Sequence, residues 1–234
     1  MARVRVVLVR PESPANVGAS ARVIRNTGGD GLDLVAPGDW RTLECWRTAW
    51  GAQDVLEAAR IFPDLAAALQ GTALAVALSG RRGAGSASVD IREAAQEIAS
   101  LGRGETAAFV LGPETSGLTH KELALCGRRA RIPSHSAQPS FNLSHAVAIA
   151  AYEAHRARPR GAVEGSRRAT HEEKERLLGL LRDGLLAIGA LPRVNTDGRF
   201  DDWRALVHRT DITPRELKLL EHMARRMADA AERG

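Results

Sequence analysis

The first 155 residues or so alternate between two hydrophobic periods. Residues 3–9 (RVRVVLV) alternate at a period of two and predict a strand. Residues 32–36, 106–111 and 129–132 predict further strands, and the continuous apolar run 72–78 (TALAVAL) predicts one buried on both faces. Between them lie helical patterns. One opens at Asn16 and stops at Gly28-Gly29, with Val17, Ala21, Val23 and Ile24 as its apolar face. Others cover 54–60, 64–69, 89–101 and about 119–125, and one from Asn142 carries Val147, Ile149, Ala150 and Tyr152. Five strands alternating with helices predict an α/β domain with a parallel sheet over residues 1–156.

The pattern then changes. Residues 157–170 form an arginine-rich linker punctuated by Pro159, Gly161 and Gly165. Residues 171–234 show only helical periodicity: Leu177, Leu178, Leu181 and Leu185 first, then Phe200, Trp203, Leu206 and Val207, then Leu217, Leu220, Met223 and Met227. Thr213 and Glu216 have the spacing of a capping box. Three helices of this size hold little core of their own, so this extension is expected to pack on the first domain or on a partner.

Composition narrows the class. With 44% hydrophobic and 26% charged residues in a chain of 234, a sizeable core forms without disulfides or metal. No apolar run approaches the ~20 residues of a membrane span, and the first ten residues lack the apolar segment of a signal peptide, so a cytoplasmic location is expected. Cys45 and Cys126 predict two free thiols, and seven scattered histidines predict no metal. The net charge is +5, and lysine occurs only at positions 121, 174 and 218. An arginine-dominated excess suits phosphate and so a nucleic-acid partner, without requiring one. Trp46 and Trp50, one helical turn apart, favour a packing or interface stripe over a platform for bases.

The candidate chemistry lies in loops after apparent strands, the edge where open α/β sheets bind ligands. These are residues 10–22, 79–86, 112–118 and 133–142. None is a dinucleotide fingerprint, a P-loop or a hydrolase elbow. Ile132 to Glu153 is central: a polar loop holding Ser134, Gln138 and Ser140 runs straight into an alanine-rich helix, and such a helix start binds polar groups.

Three motifs occur together and in order: Asn16-x-Gly18-x-x-x-Arg22, Gly112-x-Glu114-x-x-Gly117-Leu118, and Ile132-Pro133 followed by Ser140-x-Asn142-Leu143-Ser144-x-Ala146. Together they resemble the motifs of the SPOUT (SpoU-type) RNA 2′-O-ribose methyltransferases, over about residues 3–156. The pattern from Glu173 to Met227 is similar to the helical extension of the branch that methylates position 32 of the tRNA anticodon loop. The resemblance implies a parallel sheet with a C-terminal trefoil knot, a homodimer with its active site at the subunit interface, and S-adenosyl-L-methionine as cofactor. The cofactor positions it implies are Leu78, Ser79, Gly80, Leu111, Gly112, Gly117, Ile132, Phe141 and Leu143. It implies Arg22 as electrostatic stabiliser or base, Asn16 and Glu114 as groups shaping the site, and Ser140 and Asn142 as contacts to the ribose or the cofactor. Arg10, Arg81 and Arg82, with the linker arginines, are then candidates for tRNA phosphate contacts. Pro113 and Phe141 depart from the residues usual in the family. Ribosomal RNA as the target, or a knotted RNA-binding protein without catalysis, are the alternative readings.

Overall fold

The computed structural model describes residues 2–79, 88–157, 168–192 and 196–231. At its centre is a parallel sheet built from β1 (Arg3–Val9), β2 (Gly31–Val35), β3 (Arg60–Phe62), β4 (Leu74–Leu78), β5 (Val89–Asp90), β6 (Thr106–Leu111) and β7 (Arg128–Arg131). The strand order is β3-β2-β1-β6-β4-β7-β5, and every neighbouring pair is parallel. Side chains of one strand serve two cores because successive residues face opposite sides. Val4, Val6 and Leu8 of β1 join the core under α1 (Pro14–Thr27), α5 (Ile91–Ala99) and α7 (Leu143–Ala157). Val7 and Val9 join the opposite core with Leu65 and Ala68 of α4 (Leu65–Ala68). Phe109 of β6 is fully buried. Both faces are covered, which explains the continuous apolar runs of β4 and β6.

Five strands were expected and seven are present among the described residues. The additions are β3 and β5, edge strands of three and two residues, too short to show a period of two. The helical pattern over 54–60 ends before Arg60, α3 spanning Gln53–Glu57 and Arg60 opening β3. Arg60 belongs to a clamp: its Nε and Nη2 donate to the fully buried Asp33 carboxylate at 2.9 Å, and Arg5 Nε donates to the same carboxylate at 2.6 Å. A buried carboxylate held by two guanidinium groups ties β1, β2 and β3 together.

Helix α1 begins two residues before Asn16. The Ser13 side chain accepts from the Asn16 N–H, and Pro14 fits the first turn. Gly18 lies where α1 crosses α2 (Leu43–Thr48). A Cβ there would stand 2.0 Å from the Cys45 carbonyl oxygen and 2.2 Å from Thr48 Oγ1. The tryptophan stripe is only partly a packing feature. Trp40 is buried and Trp46 packs against the core, but α2 ends at Thr48 and Trp50 is 73% exposed.

The tail consists of α8 (His171–Ala187), α9 (Thr196–Arg209) and α10 (Pro214–Ala231). The expectation that it holds little core of its own is corrected. Leu177, Leu178, Leu181, Phe200, Leu217 and Ala224 belong to one buried cluster. Gly184 permits this: a Cβ there would come within 2.7 Å of the Ala224 carbonyl oxygen. Capping boxes at Thr170–Glu173 and Thr213–Glu216 start the two long helices. The tail also docks on the sheet. The His171 N–H donates to the Thr72 carbonyl at 2.6 Å, and a Cβ on Gly127 would meet the His208 carbonyl at 2.1 Å. No described helix is long and apolar enough to cross a membrane.

Candidate active site

The strand order sets β1, β6, β4 and β7 side by side, so the loops at their carboxyl ends meet. They enclose a cleft of about 620 Å³. Leu78 and Ser79 line it from β4. Leu111, Gly112 and Gly117 line it from β6 and its loop. Ile132, Phe141 and Leu143 complete it from β7 and the start of α7. Every described position that the resemblance assigned to the cofactor therefore faces one cavity. Gly80, Arg81 and Arg82 lie outside the described residues.

The loop after β6 is a tight fold on itself. A Cβ on Gly112 would stand 2.4 Å from the Gly117 carbonyl carbon and the Leu118 nitrogen, and Gly117 has φ of 65°. Both glycines of this motif thus answer to backbone geometry. The turn presents Glu114 to the loop after β1.

The three motifs join through hydrogen bonds. Asn142 Nδ2 donates to Asn16 Oδ1 at 3.0 Å, and Asn16 Nδ2 donates to Glu114 Oε1 at 2.7 Å. Glu114 also accepts from the backbone N–H groups of Glu12 at 2.9 Å and Ser13 at 3.1 Å. At the other end, Asn142 Oδ1 accepts from the Ser144 N–H at 3.0 Å and the Ser144 hydroxyl at 2.8 Å, holding the first turn of α7. Asn16 is the buried middle member, and its amide orientation is fixed by an acceptor on one side and a donor on the other. Asn142, Ser140 and Glu114 all line the cleft.

Burial pulls the Glu114 carboxyl upward, but the hydrogen bonds from Asn16, Glu12 and Ser13 outweigh it and hold the group below the usual carboxylate range. A carboxylate with a depressed folded value stabilises above its unfolded value of 4.5, and that contribution is lost as pH falls through the folded value. Glu114→Gln is expected to lower stability by about 1 kcal/mol at pH 7, a charged hydrogen-bond set discounted for solvent exposure. Melting curves of both proteins against pH check this. The gap closes as pH falls from 4.5 through the lower folded value, and a gap that widens there contradicts the assignment.

Arg22 stands apart. It is exposed on α1, lines no part of the cleft, and makes no ion pair with a described residue. Arg10 is already engaged: its Nη1 donates to Glu122 Oε1 at 2.5 Å, and Nη2 to Oε2 at 3.1 Å. Arg168 of the linker is also bound within the fold, 2.7 Å from Asp211 Oδ1. The arginine count alone gave no sign that these two serve the fold.

Sequence reasoning did not single out Glu12, Glu122, Thr115 or Ser116. Thr115 Oγ1 donates to Glu12 Oε1, and Thr115 and Ser116 line the cleft. Both flank Glu114 inside the second motif, which was the available signal. Gln138 belongs to the polar loop of the third motif and lines the cleft as well.

Residues 3–152 match the model of the SpoU rRNA methylase family. The tRNA (cytidine/uridine-2′-O-)-methyltransferase TrmJ of Klebsiella pneumoniae is 32% identical over 94% of this chain and 94% of its own length. The crystal structure of TrmJ from Z. mobilis ZM4 superposes with a TM-score of 0.83 at 29% identity, covering 97% of this chain and 99% of that one. An AdoMet-bound rRNA methyltransferase from Sinorhizobium meliloti matches with a TM-score of 0.53 at 28% identity, over 66% of this chain and 56% of that one. The chain belongs to the SpoU methylase family, in its TrmJ-like branch of RNA 2′-O-methyltransferases.

Proposed function

We propose that this chain methylates the ribose 2′-hydroxyl of a cytidine or uridine at position 32 of the tRNA anticodon loop, with S-adenosyl-L-methionine as methyl donor. The observation that carries the reading is the Asn142–Asn16–Glu114 chain, which brings the three family motifs together on one cleft. The tail supports the tRNA assignment. The TrmJ protein of Klebsiella pneumoniae matches through it, whereas the rRNA methyltransferase from Sinorhizobium meliloti matches about two thirds of the chain.

The cleft fits the cofactor. Its volume lies in the range of small-molecule sites, and it combines aliphatic walls (Leu78, Leu111, Ile132, Leu143) with loop backbone. When bound, the cofactor supplies an electrophilic sulfonium methyl. Backbone groups at Leu78, Leu111, Gly112 and Ile132 would hold it. Ser140 and Asn142 would hold the substrate ribose near it.

A ribose hydroxyl is a weak nucleophile, and charge develops on its oxygen as the proton departs to water. Arg22 stabilises that charge. A guanidinium stays protonated at neutral pH, so it acts as an electrostatic stabiliser rather than a base. Glu114 and Asn16 fix the loop around it. Because Arg22 lies outside the cleft of its own chain, the reading includes a homodimer in which the site forms between subunits. Exposed Tyr152 on α7, which packs beside α1, is consistent with that interface. The C-terminal trefoil knot belongs to the same reading, with residues 132–153 as the threaded segment. Arg81 and Arg82 would contact tRNA phosphates.

The test is methyl transfer from labelled S-adenosyl-L-methionine to unmodified bulk tRNA and to ribosomal RNA, followed by nucleoside analysis. Labelled 2′-O-methylcytidine or 2′-O-methyluridine from tRNA alone is expected. Label in ribosomal RNA alone would keep the chemistry and overturn the substrate. Cofactor binding without transfer to either would overturn the enzymatic reading.

A further inference from the structure

Where the tail meets the sheet, three potential ligands gather. His171 and Glu175 lie four residues apart on α8 and so share a face, and His208 comes from the last turn of α9. One ligand atom from each lies within 4.8 Å of the others. The imidazole rings of His171 and His208 stack at 4.8 Å between centroids. His208 Nε2 is 2.6 Å from Glu175 Oε1.

His171 is 4% exposed, and its Nε2 has no hydrogen-bond partner. A buried ring nitrogen without a partner is costly and rare. Beside it is a cavity of about 10 Å³, lined by both histidines, Lys174 and Gly127 among others, with Glu175 against His208 Nε2 and outside the lining. That is room for one small ion or water and for nothing larger.

We propose that His171, Glu175 and His208 form a structural zinc site that fastens the helical tail to the sheet. Two imidazoles and a carboxylate are a donor set zinc accepts, and Glu175 binding through both oxygens gives four donors with no further ligand in the cavity. Tetrahedral bonds of about 2.0–2.1 Å set the ligands roughly 3.3 Å apart. The His208–Glu175 contact therefore opens slightly, and one imidazole turns out of the stack so that both ring nitrogens point at the ion. His208 then carries its proton on Nδ1, because Nε2 binds the metal. The seven histidines read as scattered because His208 joins the other two only through the packing of α9 on α8.

Two cations oppose the ion. Arg204 Nη2 is 3.5 Å from Glu175 Oε2, and Lys174 Nζ donates to the His208 carbonyl at 3.2 Å. The site is therefore weaker than a thiolate site, and removing the Arg204 charge should tighten it.

The test uses the full chain, stripped with a chelator and titrated with zinc chloride in a calorimeter. One zinc per chain is expected. The melting temperature should rise by roughly 5–10 °C at a hundredfold excess over Kd. His171→Gln and His208→Gln should each weaken binding by about a hundredfold, Arg204→Gln should strengthen it, and His222→Gln, an exposed control, should change nothing. Equal zinc binding by the two ligand variants and the wild type would overturn the proposal, as would binding without thermal stabilisation. If the ligand variants fail to fold, cobalt(II) added to the wild type decides: visible bands of four-coordinate cobalt support the site, and their absence refutes it.

Discussion

Arg22→Ala is expected to fold, bind cofactor as the wild type does, and lose methyl transfer by about 10²–10³-fold. The asymmetry follows from its place. An exposed arginine without a described ion partner contributes little to the fold, within about 0.5 kcal/mol. Charge stabilisation in a desolvated site is worth several times that, and under the proposed function Arg22 reaches such a site across a subunit interface. Turnover at a fixed cofactor concentration, beside calorimetric cofactor binding and a melting curve, separates the two effects. Retained turnover would remove Arg22 from the chemistry. Lost cofactor binding with an unchanged melting curve would move it from stabiliser to cofactor contact.

Gly18→Ala is expected to fail for the opposite reason. The residue touches no part of the cleft, yet its Cβ would enter the Cys45 carbonyl and the Thr48 hydroxyl. Both are fixed: the Cys45 carbonyl accepts from the Ala49 N–H at 3.1 Å, and Thr48 Oγ1 donates to the Ala15 carbonyl at 3.0 Å. The helices must separate, which costs about 3 kcal/mol. That is a fall of roughly 6–12 °C in melting temperature, measurable by calorimetry. Activity should drop with it, since α1 carries both Asn16 and Arg22. An unchanged melting temperature would show that α1 and α2 do not pack this closely.

These two residues show what the sequence made legible. The period-two run at 3–9 and the apolar runs at 72–78 and 106–111 are central strands, and burial on both faces leaves the continuous apolar record of the last two. The edge strands at 60–62 and 89–90 leave none, since two or three residues cannot show a period. The cleft was legible through its motifs: residues as far apart as Leu78, Gly112 and Leu143 line one cavity. Their roles were less so. In Asn16-x-Gly18, the first residue bridges Glu114 and Asn142 while the second only permits a helix crossing, and nothing in the letters distinguishes the two. The commitments of Arg10 to Glu122 and Arg168 to Asp211 are contacts between residues distant in the chain, which composition cannot register. The same is true of His208 beside Glu175. Tail packing was underestimated because Gly184 allows α8 and α10 to approach more closely than their length suggests.

Methylation at position 32 is tested on one tRNA transcript in two forms. One carries ribose throughout, and the other carries a single 2′-deoxyribose at position 32. One methyl group per tRNA is expected on the first, mapping to that nucleotide, and none on the second. Equal labelling of both transcripts would contradict the assignment of position 32 and direct the search to another hydroxyl.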